Sequence, residues 1–300
     1  MTNGTVPSPD TVVTRFAPSP TGLLHLGHAY AALFAERAAR QAAGEAGGRF
    51  LLRIEDIDRG RCRQAYEAAI AEDLGWLGLA WEQPVVRQSE RFSAYRRALD
   101  RLGELGLLYP CFCTRKDIQA EIARAGQAPH GPDGPLYPGT CRALGEDERR
   151  AKIAGGRPYA LRLDVAAAAA AATVEGSLTW IEHGRGLEGH AVPAEPEIHG
   201  DVVLARKDVP TSYHLAVTLD DAEQGVTLVT RGADLAPATH VHRLLQALLD
   251  LPVPHWHHHG LVEDAAGRRL AKRDDALAIR TLRDQGLSPA EVRRMAGFPD

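Results

Sequence analysis

Arg15-Phe16-Ala17-Pro18-Ser19-Pro20-Thr21-Gly22-Leu23-Leu24-His25-Leu26-Gly27-His28 is the stretch whose reading decides the fold. The apolar run Val12 to Ala17 reads as a short buried strand, and Pro18 to Gly22 as dense turn chemistry. From His28 to Gln41, the spacing and strong helix formers of AYAALFAERAAR predict a helix. Phe50-Leu51-Leu52-Arg53-Ile54 reads as a second buried strand, ending in the acidic cluster Glu55-Asp56-Ile57-Asp58. Strand, turn, helix, strand is the βαβ unit of a parallel α/β sheet. Such sheets bind ligands at the carboxyl ends of their strands, where the glycine-bearing turn and the acidic loop both fall.

Outward from this unit, residues 1–10 read as a disordered lead-in, and helices are predicted over 62–78 and 89–106. The segment 109–145 changes character, with Cys111, Cys113, a Pro/Gly-rich loop and Cys141, and reads as an inserted subdomain. The alanine run 166–172 is helix or a tolerated spacer. Val202 to Ala205, Tyr213 to Leu219 and Val226 to Thr230 read as strands that return the chain to the sheet. An amphipathic helix is predicted over 239–250 and short helical pieces over 276–298, around Ser288-Pro289. The expected organisation is a catalytic first half over 11–108, an insert over 109–200, a second half over 201–250, and an end segment over 251–300.

Composition bounds the function classes. The 300 residues are 44% hydrophobic and 25% charged, which excludes wholesale disorder, and no run approaches the roughly 20 apolar residues of a membrane helix. The N-terminus has neither the basic start nor the apolar core of a secretory signal, and four cysteines do not make a disulfide scaffold, so a soluble, cytoplasmic protein is expected. The net charge of −4 leaves room for a local basic face that could meet a nucleic acid. Only Lys116, Lys152, Lys207 and Lys272 are lysines among 35 basic residues, so a lysine inside a motif stands out.

His25-x-Gly27-His28 at a helix start suits a nucleotide. Helix N-terminal amides favour phosphate, Gly27 admits close backbone approach, and the two imidazoles donate to phosphate oxygens. Read alone, the tetrapeptide is equally an ordinary strand-to-helix turn with two surface histidines. The whole string RFAPSPTGLLHLGH, however, resembles the first signature of class I aminoacyl-tRNA synthetases in the form carried by glutamyl-tRNA synthetases. Three more segments follow in that family's order: LLRIEDID (51–58), TSYHLAVTLDDAEQGVTLVTRGADL (211–235) and GRRLAKR (267–273). The resemblance implies a Rossmann-like catalytic domain that uses ATP with Mg²⁺. It places His25, Gly27, His28 and Lys272 on ATP, with His25, His28 and Lys272 catalytic. Lys272 matches the lysine of the second ATP signature, although Ala271 and Arg273 replace that motif's usual serines.

Glutamate carries two carboxylates and one ammonium, so its pocket calls for two basic groups and one acid. Arg15 and Arg231 are the candidate carboxylate partners, Glu55 the ammonium partner and Tyr213 a hydrogen-bonding wall, with either arginine open to either carboxylate. The resemblance implies the same four residues, together with Ala17 and Ser19. Taken singly, Glu55 and Arg231 also read as solvated surface charges.

Cys111-x-Cys113 and Tyr137-x₃-Cys141 supply three thiolates and a further donor for one structural, tetrahedral Zn²⁺ that would staple a small insert. Generic ligand chemistry prefers His130 as the fourth donor and also allows reduced, buried cysteines. Cys-x-Cys…Tyr-x₃-Cys is nonetheless the pattern of the short paralogues of glutamyl-tRNA synthetase, which implies Tyr137. Cys62 is expected to be unliganded. The run His255-Trp256-His257-His258-His259 reads as packing and ATP-site lining rather than a second metal site, because adjacent residues of an extended segment face opposite ways and nothing nearby is expected to supply carboxylate ligands.

The signatures run to residue 273 of 300, leaving no space for an anticodon-binding domain of about 100 residues or more. That matches the glutamyl-queuosine tRNA(Asp) synthetases, a short branch of the family, as does RGADL at 231–235. The resemblance therefore implies a monomer whose partners are ATP, L-glutamate and queuosine-containing tRNA(Asp). It implies tRNA-independent glutamate activation, then transfer to the wobble queuosine. The alternatives are a catalytic fragment charging the 3′ end of tRNA(Glu), or a non-enzymatic tRNA-binding descendant.

Overall fold

The computed structural model describes residues 11–41, 47–124, 130–132, 134–173, 176–184, 188–260 and 278–298. The lead-in 1–10 and the 267–273 loop with Lys272 lie outside the described residues. The chain opens with β1 (Val13–Phe16), α1 (Leu26–Gln41), β2 (Arg49–Ile54), α2 (Gln64–Trp76) and β3 (Glu82–Arg87). These strands run parallel: Val13 opposite Arg49, as the first sixty residues predict, and Ile54 opposite Arg87 in β3, a strand absent from the expected elements. Helix α1 buries Ala29, Ala32, Leu33 and Ala35, and the small alanines bring it close enough for Thr14 Oγ1 to donate to the Ala35 carbonyl at 2.8 Å.

Next come α3 (Phe92–Glu104), β4 (Leu108–Cys111), α4 (Arg115–Arg124), and a two-rung ladder of β5 (His130–Gly131) with β6 (Gly134–Pro135). They lead through α5 (Glu146–Ala154) and β7 (Ala160–Leu163) to α6 (Val165–Ala172), so the alanine run is helical, capped by Asp164. The chain continues through β8 (Thr179–His183), β9 (Gly189–Pro193), β10 (Val203–Ala205), α7 (Tyr213–Glu223), β11 (Leu228–Gly232), α8 (Ala238–Leu248) and β12 (His255–His259). Last are α9 (Ile279–Asp284) and α10 (Pro289–Met295), the latter started by a capping box between Ser288 and Glu291.

A second sheet, ordered β11-β12-β8-β9, is parallel across its first three strands. It meets the first sheet at β1, where the Thr227 amide donates to the Val13 carbonyl at 3.0 Å. The third sheet, β10-β7-β4, is antiparallel throughout. Two expectations change here. Val203–Ala205 pairs with β7 of the insert and not with the catalytic sheet, because Leu204 is buried in the cluster that holds Leu163, Leu107 and Tyr95. Tyr213 to Leu219 is the start of α7 and not a strand: the Ser212 side chain caps the helix, and the apolar run Leu215-Ala216-Val217 packs inward. The parallel sheet also begins earlier than the second half at 201–250, since β8 within 109–200 pairs with β12.

Candidate active site

The loops that follow β1 and β2 and the N-terminus of α7 border a cavity of about 580 Å³ lined by Ser19, Glu55, Tyr213 and His214. Its far wall comes from the insert and the segment after it, with Tyr137, Arg162, Asp201 and Arg206. Ala17, half-buried, and Ser19, exposed, follow β1, and the Glu55 amide donates to the Pro18 carbonyl at 3.0 Å, tying the first turn to the acidic loop.

The two expected carboxylate partners sit in different electrostatic settings. Arg15 is 5% exposed, and its charge is already met: Nε donates to Asp221 Oδ1 at 2.9 Å, Nη2 to Oδ2 at 3.3 Å and Nη1 to the Thr230 carbonyl at 3.1 Å. Asp221 also accepts from Arg53 Nη1 at 2.8 Å. Burial alone would raise the Asp221 carboxyl, but Arg15 and Arg53 beside it hold it below the ordinary value. Arg231, 6% exposed, has only uncharged hydrogen-bond partners among the described residues: Tyr213 Oη at 3.2 Å, His242 Nδ1 at 3.3 Å, Thr239 Oγ1 at 2.6 Å and His258 Nε2 at 3.1 Å. A buried guanidinium without a carboxylate partner is a site for a ligand's anion.

Glu55 lies 3.6 Å from Arg53 Nη2. Burial pushes its carboxyl up, against the pull of Arg53 and Arg15, and a ligand ammonium would favour its charged form. Burial likewise raises the Tyr213 phenol, so its neutral hydroxyl accepts from Arg231.

His25 and His28 stack 3.9 Å apart between ring centroids at the start of α1. The Gly27 amide donates to His25 Nδ1 at 3.1 Å and the His25 amide to His28 Nδ1 at 3.2 Å, so the proton of each neutral ring belongs on Nε2. A Cβ on Gly27 would lie 3.1 Å from the His25 ring, so the glycine makes room for that ring. Lys272, expected on ATP, lies outside the described residues.

In the insert, the thiols of Cys111, Cys113 and Cys141 lie within 4.8 Å of one another, and no other such group of metal-ligating side chains occurs among the described residues. The Tyr137 hydroxyl is 3.4 Å from Cys111 Sγ and 3.6 Å from Cys113 Sγ, and accepts from the Cys141 amide at 2.8 Å. His130 is not part of that group. The donor set fits a tetrahedral Zn²⁺, with three soft thiolates and one oxygen converging on a point. Burial would raise the Cys141 thiol, but hydrogen bonds from Tyr137, the Phe112 amide and Cys113 leave it lowered. Cys62 has none of these neighbours in the cluster.

The histidine strand β12 carries a correction. His257 and His259 pack on Phe34 and Trp256 on Trp180, as the packing reading holds. A carboxylate is nevertheless close, from a strand 76 positions away: Glu182 Oε2 lies 2.8 Å from His258 Nδ1, and Oε1 accepts from the His258 amide at 2.8 Å. Arg53, Asp221, Glu182, Thr239 and His242 are site residues that motif reading passed over. The available signals were an arginine inside the buried run FLLRI and an Asp-Asp pair inside an apolar helix.

The chain matches the catalytic domain of the class I tRNA synthetases (E and Q) over residues 11–297. It is 53% identical over 291 residues to the glutamyl-Q tRNA(Asp) synthetase of Rhodobacter capsulatus, covering 96% of this chain and 100% of that protein. The glutamyl-Q tRNA(Asp) synthetase of Nocardia farcinica is 45% identical over 278 residues, covering 93% of this chain and 81% of that one. Among solved structures, a glutamate tRNA ligase from Elizabethkingia meningosepticum in complex with its amino acid superposes with a TM-score of 0.70 at 29% identity. That match covers 88% of this chain and 52% of the ligase, so the chain spans about half the ligase's length.

Proposed function

The chain belongs to the glutamyl-Q tRNA(Asp) synthetases, within the class I tRNA synthetases, and on that premise we propose that it activates L-glutamate with ATP in the absence of tRNA and then esterifies the wobble queuosine of tRNA(Asp). The observation that carries the glutamate assignment is Arg231, buried with uncharged hydrogen-bond partners and bonded to Tyr213, which lines the cavity together with Glu55. In this reading Arg231 and Arg15 bind the two carboxylates, Glu55 the ammonium, and Ala17, Ser19 and Tyr213 complete the pocket. Arg231 is the stronger anion site, because Asp221 already matches Arg15.

In the first step an oxygen of the glutamate α-carboxylate attacks the α-phosphorus of ATP. The bond to the bridging oxygen breaks, pyrophosphate leaves with its electron pair, and glutamyl-adenylate remains. His25, His28 and Lys272 hold phosphate oxygens, with Mg²⁺ among the phosphates, and act by positioning and charge stabilisation. In the second step a queuosine hydroxyl attacks the acyl carbon, AMP leaves, and the hydroxyl proton is released. Orientation of the two reactants carries this step. A Zn²⁺ held by Cys111, Cys113, Cys141 and Tyr137 would staple the insert that forms the far wall of the cavity. Among the described residues no helix is long and apolar enough to cross a membrane.

ATP–pyrophosphate exchange with glutamate and no tRNA tests the activation. Its absence would favour a non-enzymatic tRNA-binding protein. Labelled glutamate offered to queuosine-containing and queuosine-free tRNA(Asp) tests the acceptor. Label on the queuosine base is expected, and label on the terminal adenosine of tRNA(Glu) overturns that half.

A further inference from the structure

Arg231, bonded to the cavity-lining Tyr213, owes its orientation to a chain of hydrogen bonds through His258 and Glu182. Its Nε points at His258 Nε2, 3.1 Å away, and a guanidinium N–H only donates, so that imidazole nitrogen must carry a lone pair. Thr239 Oγ1, 3.2 Å from the same nitrogen, receives Arg231 Nη2 and so has its own proton free to give to it. The proton of the neutral ring therefore sits on Nδ1, where Glu182 Oε2 accepts it at 2.8 Å. The other Glu182 oxygen accepts the His258 amide at 2.8 Å, so the carboxylate grips the ring and the backbone behind it. The His258 and Glu182 side chains are 7% and 16% exposed, which removes water as a substitute partner for the ring.

We propose that Glu182 and His258 are positioning residues for glutamate recognition: Glu182 fixes the His258 tautomer, and His258 aims the Arg231 guanidinium at the substrate carboxylate. The inference rests on the reading of Arg231 as a glutamate-binding residue. Only an acceptor on both Glu182 oxygens suits this geometry. In Glu182→Gln the amide has one acceptor. If its NH₂ faces the ring, it donates to Nδ1 and shifts the ring proton to Nε2, against the Arg231 N–H. If it faces the His258 amide, two donors oppose each other there.

The test is ATP–pyrophosphate exchange in the full chain, with glutamate and ATP varied separately. Glu182→Gln and His258→Leu are expected to raise the glutamate KM about tenfold or more, the size of one lost hydrogen bond to a charged group, while kcat and the ATP KM stay within about twofold. His258→Gln places an amide oxygen near the Nε2 position and an amide NH₂ toward Glu182, and is expected to restore the glutamate KM to within about threefold of the parent. A merely structural role would lower thermal stability in all three variants without this split or this rescue. If Arg231→Ala abolishes glutamate saturation while Glu182→Gln and His258→Leu leave the glutamate KM unchanged, the positioning role is wrong and the site stands. If Arg231→Ala itself leaves the glutamate KM unchanged, the assignment of Arg231 fails first.

Discussion

Asp221 joins two arginines that arrive from separate strands: its Oδ1 lies 2.9 Å from Arg15 Nε and 2.8 Å from Arg53 Nη1, and Arg15 and Asp221 are 206 positions apart in sequence. The three side chains are buried, and α7 thereby clamps β1 to β2. Asp221→Asn keeps the shape and removes the charge, leaving two buried guanidiniums without their shared partner. Breaking such a pair from one side costs about 3–5 kcal/mol. The expected outcome is a marked drop in the denaturation midpoint, with a glutamate KM raised about tenfold as Arg15 loses its support. A variant with unchanged stability would mean that water or another acid replaces the carboxylate.

The contrast between Arg15 and Arg231 marks where sequence reading ends. The βαβ opening was legible because periodicity, turn residues and helix formers are local properties. The Cys111, Cys113 and Cys141 set was legible because its spacing is itself the signal, and the structure gathers those thiols within 4.8 Å. Strand partners were not legible: Val203–Ala205 is apolar enough for any sheet, and only Leu204 settling beside Leu163 assigns it to the insert. The α7 helix was misread because Val217 and Thr218 are β-branched, while the deciding feature, the Ser212 cap, is a single hydroxyl. The charge partners of Arg53 and Glu182 were not legible, because they are distant in the chain.

The thiol cluster predicts a metal and a structural consequence. Elemental analysis of freshly purified protein is expected to find about one zinc per chain, and Cys141→Ser to release most of it. Tyr109, Phe112, Cys111 and Cys141 form a small core of their own, with Cys113, Tyr137 and Leu144 packed against it, so loss of the metal would loosen that part of the insert. The melting temperature of Cys141→Ser, or of the parent after chelation, should fall by about 5 °C or more. Parent protein free of zinc, with an unchanged melting temperature in chelator, removes the assignment.

Histidines set the expected pH dependence of stability. His242, His257, His258 and His259 all have values lowered by burial, with Arg231 adding to the effect at His242 and His258. Below the ordinary histidine value of about 6.5, the unfolded chain binds these protons and the native state does not. Stability therefore rises with pH up to about 6.5 and is fully present above it. As pH falls from about 6.5 the contribution is lost progressively, so denaturant midpoints at pH 7.5 and 7.0 should agree while that at pH 5.5 is clearly lower. A flat profile across this range contradicts the buried, neutral state of these rings.

Gly27 separates a binding role from a folding one. An alanine there places its Cβ 3.1 Å from His25 Cε1 and 3.2 Å from Nδ1, closer than the ring accommodates without moving. The ring must give by a few tenths of an ångström, which loosens the 3.1 Å bond from the Gly27 amide and would turn Nε2 away from the phosphate oxygen it is proposed to hold. Residue 27 nonetheless lies inside α1, where alanine is the better helix former by up to about 1 kcal/mol. Gly27→Ala is therefore expected to melt at or above the parent temperature while its ATP KM in the exchange reaction rises about tenfold and its glutamate KM stays put. Parallel losses of stability and of both KM values would instead mean that the glycine serves the strand-to-helix turn as a whole. An unchanged ATP KM would remove His25 from the phosphate site.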